Sequence, residues 1–111
     1  MTRKSRYVSR SDFQGLNSSE VQMAGAKVEI YTRWGCGYCV AAKALLDRKG
    51  LEYTQYDTTM GGEPRAEMLR RVPGATTVPQ ILIDDVPVGG SDDIHALDRA
   101  GKLDAMLGIA A

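Results

Sequence analysis

Apolar positions in this chain change period several times, and each change marks an element. Val28-Glu29-Ile30-Tyr31 alternates within a run, Lys27–Thr32, that predicts a strand. Val40-Ala41-Ala42-Lys43-Ala44-Leu45-Leu46 is rich in strong helix formers and predicts a helix over about Gly37–Lys49. Gly50 follows at the stop position, where a residue tolerant of positive φ fits. Val40, Ala41, Ala44, Leu45 and Arg48 recur at helical spacing, so the face carrying Ala44 and Leu45 is expected in the core. Leu51–Asp57 alternates again around Tyr53, Thr54 and Tyr56 and predicts a second strand, followed by a loop over Thr58–Gly62. Glu63-Pro64 opens a helix that runs to about Arg71 and is ended by Pro73-Gly74. Gln80-Ile81-Leu82-Ile83 and Val86-Pro87-Val88 flank an Asp84-Asp85 turn and read as a hairpin. Pro87 cannot donate to a ladder, which puts its strand at the sheet edge. Gly89-Gly90-Ser91-Asp92-Asp93 leads into a helix holding Ile94 and Leu97, with Ser91 as expected N-cap and the acidic pair in the first turn. Gly101 breaks that helix, and Leu103, Met106 and Leu107 mark a short last one.

The order is therefore β-α-β-α-β-β-α, an α/β chain. A helical crossover between the first two strands implies parallel pairing, and the hairpin implies an antiparallel part. The expected result is a four-stranded mixed sheet with helices on both faces. Residues 1–25 stand apart: Arg3, Lys4, Arg6 and Arg10 face only Asp12 and Glu20, serines are frequent, and apolar periodicity is absent. They read as a disordered N-terminal tail or leader ahead of one domain over 26–111. An expression leader, a mis-assigned upstream start and an organelle transit peptide all fit that composition; a secretory signal does not, because no apolar h-region exists.

Charge narrows the function classes. The 14 Lys and Arg balance 14 Asp and Glu, which gives no basic footprint for nucleic acid. No apolar run reaches the roughly 20 residues needed to span a bilayer, so no membrane role is expected. The informative residues are the only two cysteines, in Cys36-Gly37-Tyr38-Cys39. They fall on a strand-to-helix turn, with Cys36 at or just before the helix N-terminus. Unsatisfied N–H groups and the helix dipole favour a thiolate there. Two cysteines and a distant His95 fall short of the four ligands of a closed zinc site, and His95 reads as an exposed helix residue. A redox pair in a reducing compartment is the better reading.

Val28-Glu29-Ile30-Tyr31-Thr32, Cys36-Gly37-Tyr38-Cys39, Thr77-Val78-Pro79-Gln80-Ile81 and Gly89-Gly90-Ser91-Asp92-Asp93, taken together, resemble a glutaredoxin, and more narrowly the small dithiol glutaredoxins of bacterial type. The resemblance covers roughly Lys27 to Leu107. It implies a thioredoxin fold and a glutathione-dependent thiol–disulfide oxidoreductase acting on glutathione mixed disulfides and protein disulfides. By the same resemblance Cys36 is the nucleophile and Cys39 the resolving thiol, and the Val78-Pro79 bond is cis. Val78 and Pro79 would meet the glutathione backbone. Gly90, Ser91 and Asp92 would hold its γ-glutamyl end, and Arg33 its glycyl carboxylate. Tyr38 would flank the sulfur, and Thr77 would line the groove.

The sequence departs from the commonest family pattern at Gly37, which stands where proline is usual, and at Trp34-Gly35 before the first cysteine. A glycine there also goes, within the family, with a [2Fe–2S] cluster shared by two subunits, Cys36 and one glutathione from each supplying the ligands. A cluster carrier or sensor is thus the alternative to the enzyme, and a dimer is expected only in that case; otherwise the chain is expected to be a monomer with glutathione as co-substrate and no metal. A thioredoxin-type reductant is a further rival, disfavoured by Gly35 and Tyr38. The expected location is cytoplasmic, or an organelle if the leader is a transit peptide. By their own residues alone, Pro79 also reads as a strand-initiating proline, Gly90-Ser91-Asp92 as a turn with an N-cap, and Arg33 as a solvated charge. Trp34 reads equally as a substrate-facing aromatic or a lid on the helix start.

Overall fold

The computed structural model describes residues 26–109; the expected leader over 1–25 lies outside them. Eight elements follow in chain order: β1 (Val28–Thr32), α1 (Gly37–Arg48), β2 (Thr54–Asp57), α2 (Gly62–Arg71), β3 (Gln80–Ile83), β4 (Val86–Gly89), α3 (Ser91–Arg99) and α4 (Leu103–Leu107). The strands form one sheet in the order β2-β1-β3-β4. β1 pairs parallel to β2 and antiparallel to β3, and β3 pairs antiparallel to β4. With helices on both faces, this is the expected four-stranded mixed sheet of a thioredoxin fold. Pro87 lies on the edge strand, as its missing N–H requires. No helix of the described residues is long and apolar enough to cross a membrane.

All five residues of β1 are buried, so both of its faces are covered. Val28 and Ile30 join Ile81 and Ile83 of β3 in a core closed by Ala42, Leu45 and Leu46 of α1, Ile94 of α3 and Leu103 and Leu107 of α4. Each fully buried aliphatic side chain of this kind contributes about 1.5–3 kcal/mol relative to exposure. The alternate positions, Tyr31 and Leu82, turn to the other face and pack on Met68 of α2.

Two sequence expectations are corrected. Ala44 and Val40 of α1 are exposed, and the buried face is Cys39, Ala42, Leu45 and Leu46. Because Val40–Leu46 is apolar almost all the way round, its periodicity does not choose a face, and the position of the sheet does. β2 also begins only at Thr54, not at Leu51. Leu51 is used to end α1: Gly50, at φ 74°, donates its N–H to the Asp47 carbonyl at 3.0 Å, and Leu51 donates to the Leu46 carbonyl at 3.4 Å. That is a Schellman closure, with Leu51 as its apolar anchor in the core. The same end of α1 is tied to α3 and α4 by the Lys49 ammonium, 2.6 Å from Asp98 and 2.7 Å from Asp104.

Beneath α2 the sheet carries charge. Glu29 is buried, and its carboxylate accepts two bonds from the Arg71 guanidinium, at 2.8 and 3.0 Å, and one from the Tyr56 hydroxyl at 2.8 Å. Arg71 also donates to the Tyr31 hydroxyl at 3.0 Å, and Tyr31 donates to Glu67 at 2.6 Å. The Tyr31 and Tyr56 rings are 4.8 Å apart between centroids. The Arg71 bonds hold the Glu29 carboxyl below the usual range, while burial and the bond to Glu29 push the Tyr56 phenol up to about 12.

Arg71→Ala is expected to destabilise the fold by about 2–4 kcal/mol, because Glu29 would stay buried without its main partner. Glu29 has a depressed folded-state pKa, so its contribution is fully present above its unfolded value near 4.3 and is lost as pH falls through the lower folded value. Urea midpoints between pH 3 and 7 should therefore fall less steeply toward acid in Arg71→Ala than in the parent; parallel profiles would show that Glu29 is not the group being titrated.

Candidate active site

Strand directions gather the sequence motifs at one end of the sheet. β1 and β2 run parallel, so the segments after Thr32 and Asp57 emerge together. β3 runs the other way and begins there, which brings Val78-Pro79 alongside, and β4 returns to deliver Gly89-Gly90. An irregularity between Ile81 and Leu82 leaves Val88 without a partner in the β3–β4 register and re-aims the end of β4.

Cys36 is the N-cap of α1, with extended backbone at φ −95° and ψ 109°. Its Sγ accepts the Cys39 N–H at 3.1 Å, using a donor that the first turn of a helix leaves free. The same sulfur lies 3.8 Å from the Val78 carbonyl oxygen. Both cysteines are free thiols: Cys36 is half-buried, whereas Cys39 is only 2% exposed. Burial, reinforced by the neighbouring Cys36, pushes the Cys39 thiol up to about 11. One sulfur can thus be reached from outside, and a protonated one waits a helical turn inward.

The Val78-Pro79 peptide bond is cis, and Pro79 is buried. The Pro79 carbonyl oxygen lies 3.1 Å from the point where a Cβ on Gly90 would sit, so the two motif segments abut, and any side chain at 90 needs a shift of a few tenths of an ångström. Gly89 is constrained further: at φ 111°, an added Cβ would fall 2.2 Å from Asp93 Oδ2. Cys36, Val78, Pro79 and Gly90 are therefore contiguous. Thr77 and Asp92 are exposed beside them, Ser91 is buried, and Arg33 and Tyr38 flank Cys36 on the exposed side.

The expected N-cap of α3 moves by one position. Gly90 is the cap and Ser91 the first helical residue, with its hydroxyl 3.4 Å from His95 Nδ1. His95 is half-buried, not exposed, because its Nδ1 also sits 2.8 Å from the Ser91 carbonyl oxygen. The residue that fixes this turn is Asp93, whose carboxylate accepts the Gly90 N–H at 2.9 Å. Its place three residues after the cap was the available signal. Gln80 was also missed; its side-chain amide donates to the Thr77 carbonyl at 2.9 Å and braces the segment before β3. No local signal announces Thr59, whose Oγ1 accepts the Trp34 N–H at 2.7 Å while its hydroxyl donates to Asp57. Trp34 is 84% exposed, which removes the lid reading.

Among the described residues no group of three or more His, Cys, Asp or Glu side chains could hold a metal ion. A [2Fe–2S] cluster takes four ligands, usually thiolates, and one chain presents one accessible thiol, so holding a cluster would require a second copy and two further sulfurs.

The family model for glutaredoxin matches residues 28–88. A glutaredoxin of Pseudomonas aeruginosa is 54% identical over 80 residues, which cover 72% of this chain and 94% of that protein. The solution structure of a glutaredoxin from Brucella melitensis is similar with a TM-score of 0.65 at 52% identity, covering 76% of this chain and 90% of that one. A buckwheat glutaredoxin–glutathione complex is similar with a TM-score of 0.66 at 26% identity, covering 99% of this chain and 100% of that one.

Two outcomes test this geometry. Iodoacetamide at pH 7 should label Cys36 and leave Cys39 unlabelled until the fold is lost, as read by peptide mapping; comparable labelling rates would contradict the burial of Cys39. Gly37→Pro should be tolerated and should stabilise the chain by about 0.4–1 kcal/mol, since position 37 opens α1, Cys36 before it is already extended, and no atom lies within 4 Å of an added Cβ. A lowered denaturation midpoint would refute that reading of the turn.

Proposed function

The chain belongs to the glutaredoxin family and is a thiol–disulfide oxidoreductase, and from that premise we propose that it draws its electrons from glutathione through Cys36. The observation that supports this most directly is the pair of unlike thiols: Cys36 at a helix N-terminus, accepting the Cys39 N–H, and Cys39 buried behind it. In the monothiol route the Cys36 thiolate attacks the glutathione sulfur of a protein mixed disulfide. The protein–glutathione S–S bond breaks, a Cys36–glutathione disulfide forms, and the protein leaves as a thiolate that takes a proton from water. A second glutathione thiolate attacks the glutathione sulfur held on Cys36, releasing oxidised glutathione and restoring the Cys36 thiolate. The net change is one mixed disulfide and one glutathione converted to one protein thiol and one glutathione disulfide.

For a protein disulfide, Cys36 forms the mixed disulfide and Cys39 displaces the substrate from it. This leaves a Cys36–Cys39 disulfide for two glutathione molecules to reduce. Cys39 must lose its proton to do so, and the charge on Cys36 vanishes on forming a disulfide, which removes one of the causes holding the Cys39 thiol high.

The groove for glutathione runs, in this reading, over Thr77, Val78 and Pro79 to the start of α3. Its γ-glutamyl carboxylate would take the N–H groups of Ser91 and Asp92 in the first turn of α3, beside Gly90, and its ammonium the exposed Asp92 carboxylate. Arg33, exposed on the other side of Cys36, suits the glycyl carboxylate, and Tyr38 covers the sulfur. The helix terminus, exposed carboxylate and exposed guanidinium support an anionic tripeptide better than a neutral ligand. A glutathione-supplied reducing compartment such as the cytoplasm suits this activity, and it needs only one copy of the chain.

Cys36→Ser is expected to reduce turnover to the uncatalysed background for every substrate in an assay coupled to glutathione and glutathione reductase. Cys39→Ser should keep reduction of a small glutathione mixed disulfide within about threefold and lose most reduction of protein disulfides, since only the second route consumes the inner thiol. Activity sustained by thioredoxin reductase and not by glutathione would overturn the assignment.

A further inference from the structure

Among the described residues, four of the seven exposed large apolar side chains gather near Cys36. Met60 is 91% exposed, Trp34 84%, Tyr38 66% and Val40 63%, and these four are the most exposed of their kind among the described residues. All four lie within four positions of Cys36 or on the loop hydrogen-bonded to its approach. Exposed apolar residues gathered around one reactive atom point to contact with a partner, whereas single ones elsewhere need no explanation. The surface is also held in place: the Thr59 hydroxyl ties Asp57 to the Trp34 N–H across 25 residues, so the two loops presenting Trp34 and Met60 are fixed to each other. A platform ordered before binding loses less entropy on contact.

An open cleft of about 480 Å³ runs from this rim to Cys36 on the β2 side, lined in part by Trp34, Val40, Lys43 and Asp57. Thr77, Val78 and Gly90 do not line it, whereas Arg33 and Cys36 do, so it adjoins the groove assigned to glutathione and the two meet at Cys36 and Arg33. Asp57 in its wall already accepts bonds from Thr59, and Lys43 makes no ion pair among the described residues. The wall therefore offers apolar surface beside two cations, Arg33 and Lys43, and one carboxylate, Asp57, which Lys43 helps to hold ionised.

Resting on the oxidoreductase reading, we propose that Trp34, Met60 and Val40 form a docking rim for the polypeptide half of the substrate, selecting an extended segment with an apolar side chain next to its disulfide-bonded cysteine and an acidic one within reach of Lys43. The segment enters from the β2 side while glutathione lies along Val78, and the two meet at the Cys36 sulfur. The rim acts on recognition and takes no part in bond exchange.

Trp34 is the only tryptophan, so its emission reports the rim directly. In the full chain carrying Cys36→Ser, a glutathionylated peptide with Leu, Phe and Glu around its cysteine should blue-shift the emission saturably. It should bind about tenfold more tightly than the same peptide with serines in those places, and Met60→Ser should remove most of that difference. In the active chain, Trp34→Ser with Met60→Ser should raise KM for the apolar peptide about tenfold, with kcat and turnover of the mixed disulfide of glutathione and 2-mercaptoethanol unchanged. Equal affinity for both peptides, or a preference that survives the double change, overturns the proposal. Self-association in sedimentation that Trp34→Ser abolishes would also overturn it, making the rim a contact between copies. Failure of the small mixed disulfide to turn over would instead count against the glutathione reading, and the emission titration would still decide the rim.

Discussion

A strand buried on both faces can be covered only by elements that cross over it, and β1 is buried at all five positions. That constraint places α1, α3 and α4 on one side and α2 on the other. The connections set the strand directions: the α1 crossover makes β2 parallel to β1, and the hairpin makes β3 and β4 antiparallel. Because β2 and β4 run with β1 and β3 runs against it, four loops distant in sequence open at the same sheet end. Cys36 sits in the middle of them as a consequence of strand direction alone. The site needs no flexible assembly step, since each wall is the end of an element already packed in the core.

The separation of the two thiols follows from the same packing. Capping a helix with Cys36 puts its sulfur against the free N–H of Cys39 and leaves it partly exposed. Three residues later the helix has turned toward the sheet, so the Cys39 side chain enters the protein, and burial holds its proton. Two residues of one type thereby differ in access and in role from a separation of less than one turn: one sulfur meets solvent, and the other is enclosed. The Val78 carbonyl on the far side of Cys36 and the Pro79–Gly90 approach behind it complete a wall whose spacing allows no side chain at Gly90 or Gly89 without movement.

The face under α2 solves a different problem. β1 carries Glu29 and Tyr31 where an apolar pair would serve, and both are buried. The carboxylate is stable there because Arg71 meets it with two bonds and Tyr56 with a third, so the buried charge is compensated. The same guanidinium reaches the Tyr31 hydroxyl, joining α2 to both strands. This face is held by directional contacts as well as by area, and that fixes the register of α2 on the sheet.

Local rules determined much of this protein from its sequence alone. The alternation in β1, the stop at Gly50, the edge position of Pro87 and the placing of Cys36 at a helix start depend on neighbours within a few residues, where backbone geometry and hydrogen-bond closure act. The motifs around Val78 and Gly90 were legible as segments for the same reason. Tertiary structure decided what those rules leave open: which side of an almost wholly apolar α1 faces the core, why Leu51 anchors a helix end instead of joining β2, and how deeply Cys39 is buried. It also decided that Glu29 meets Arg71 across 42 residues and that Thr59 holds Trp34 across 25. Such pairs leave no periodic trace, because each partner alone is an ordinary polar residue and only the folded sheet brings the two within bonding distance.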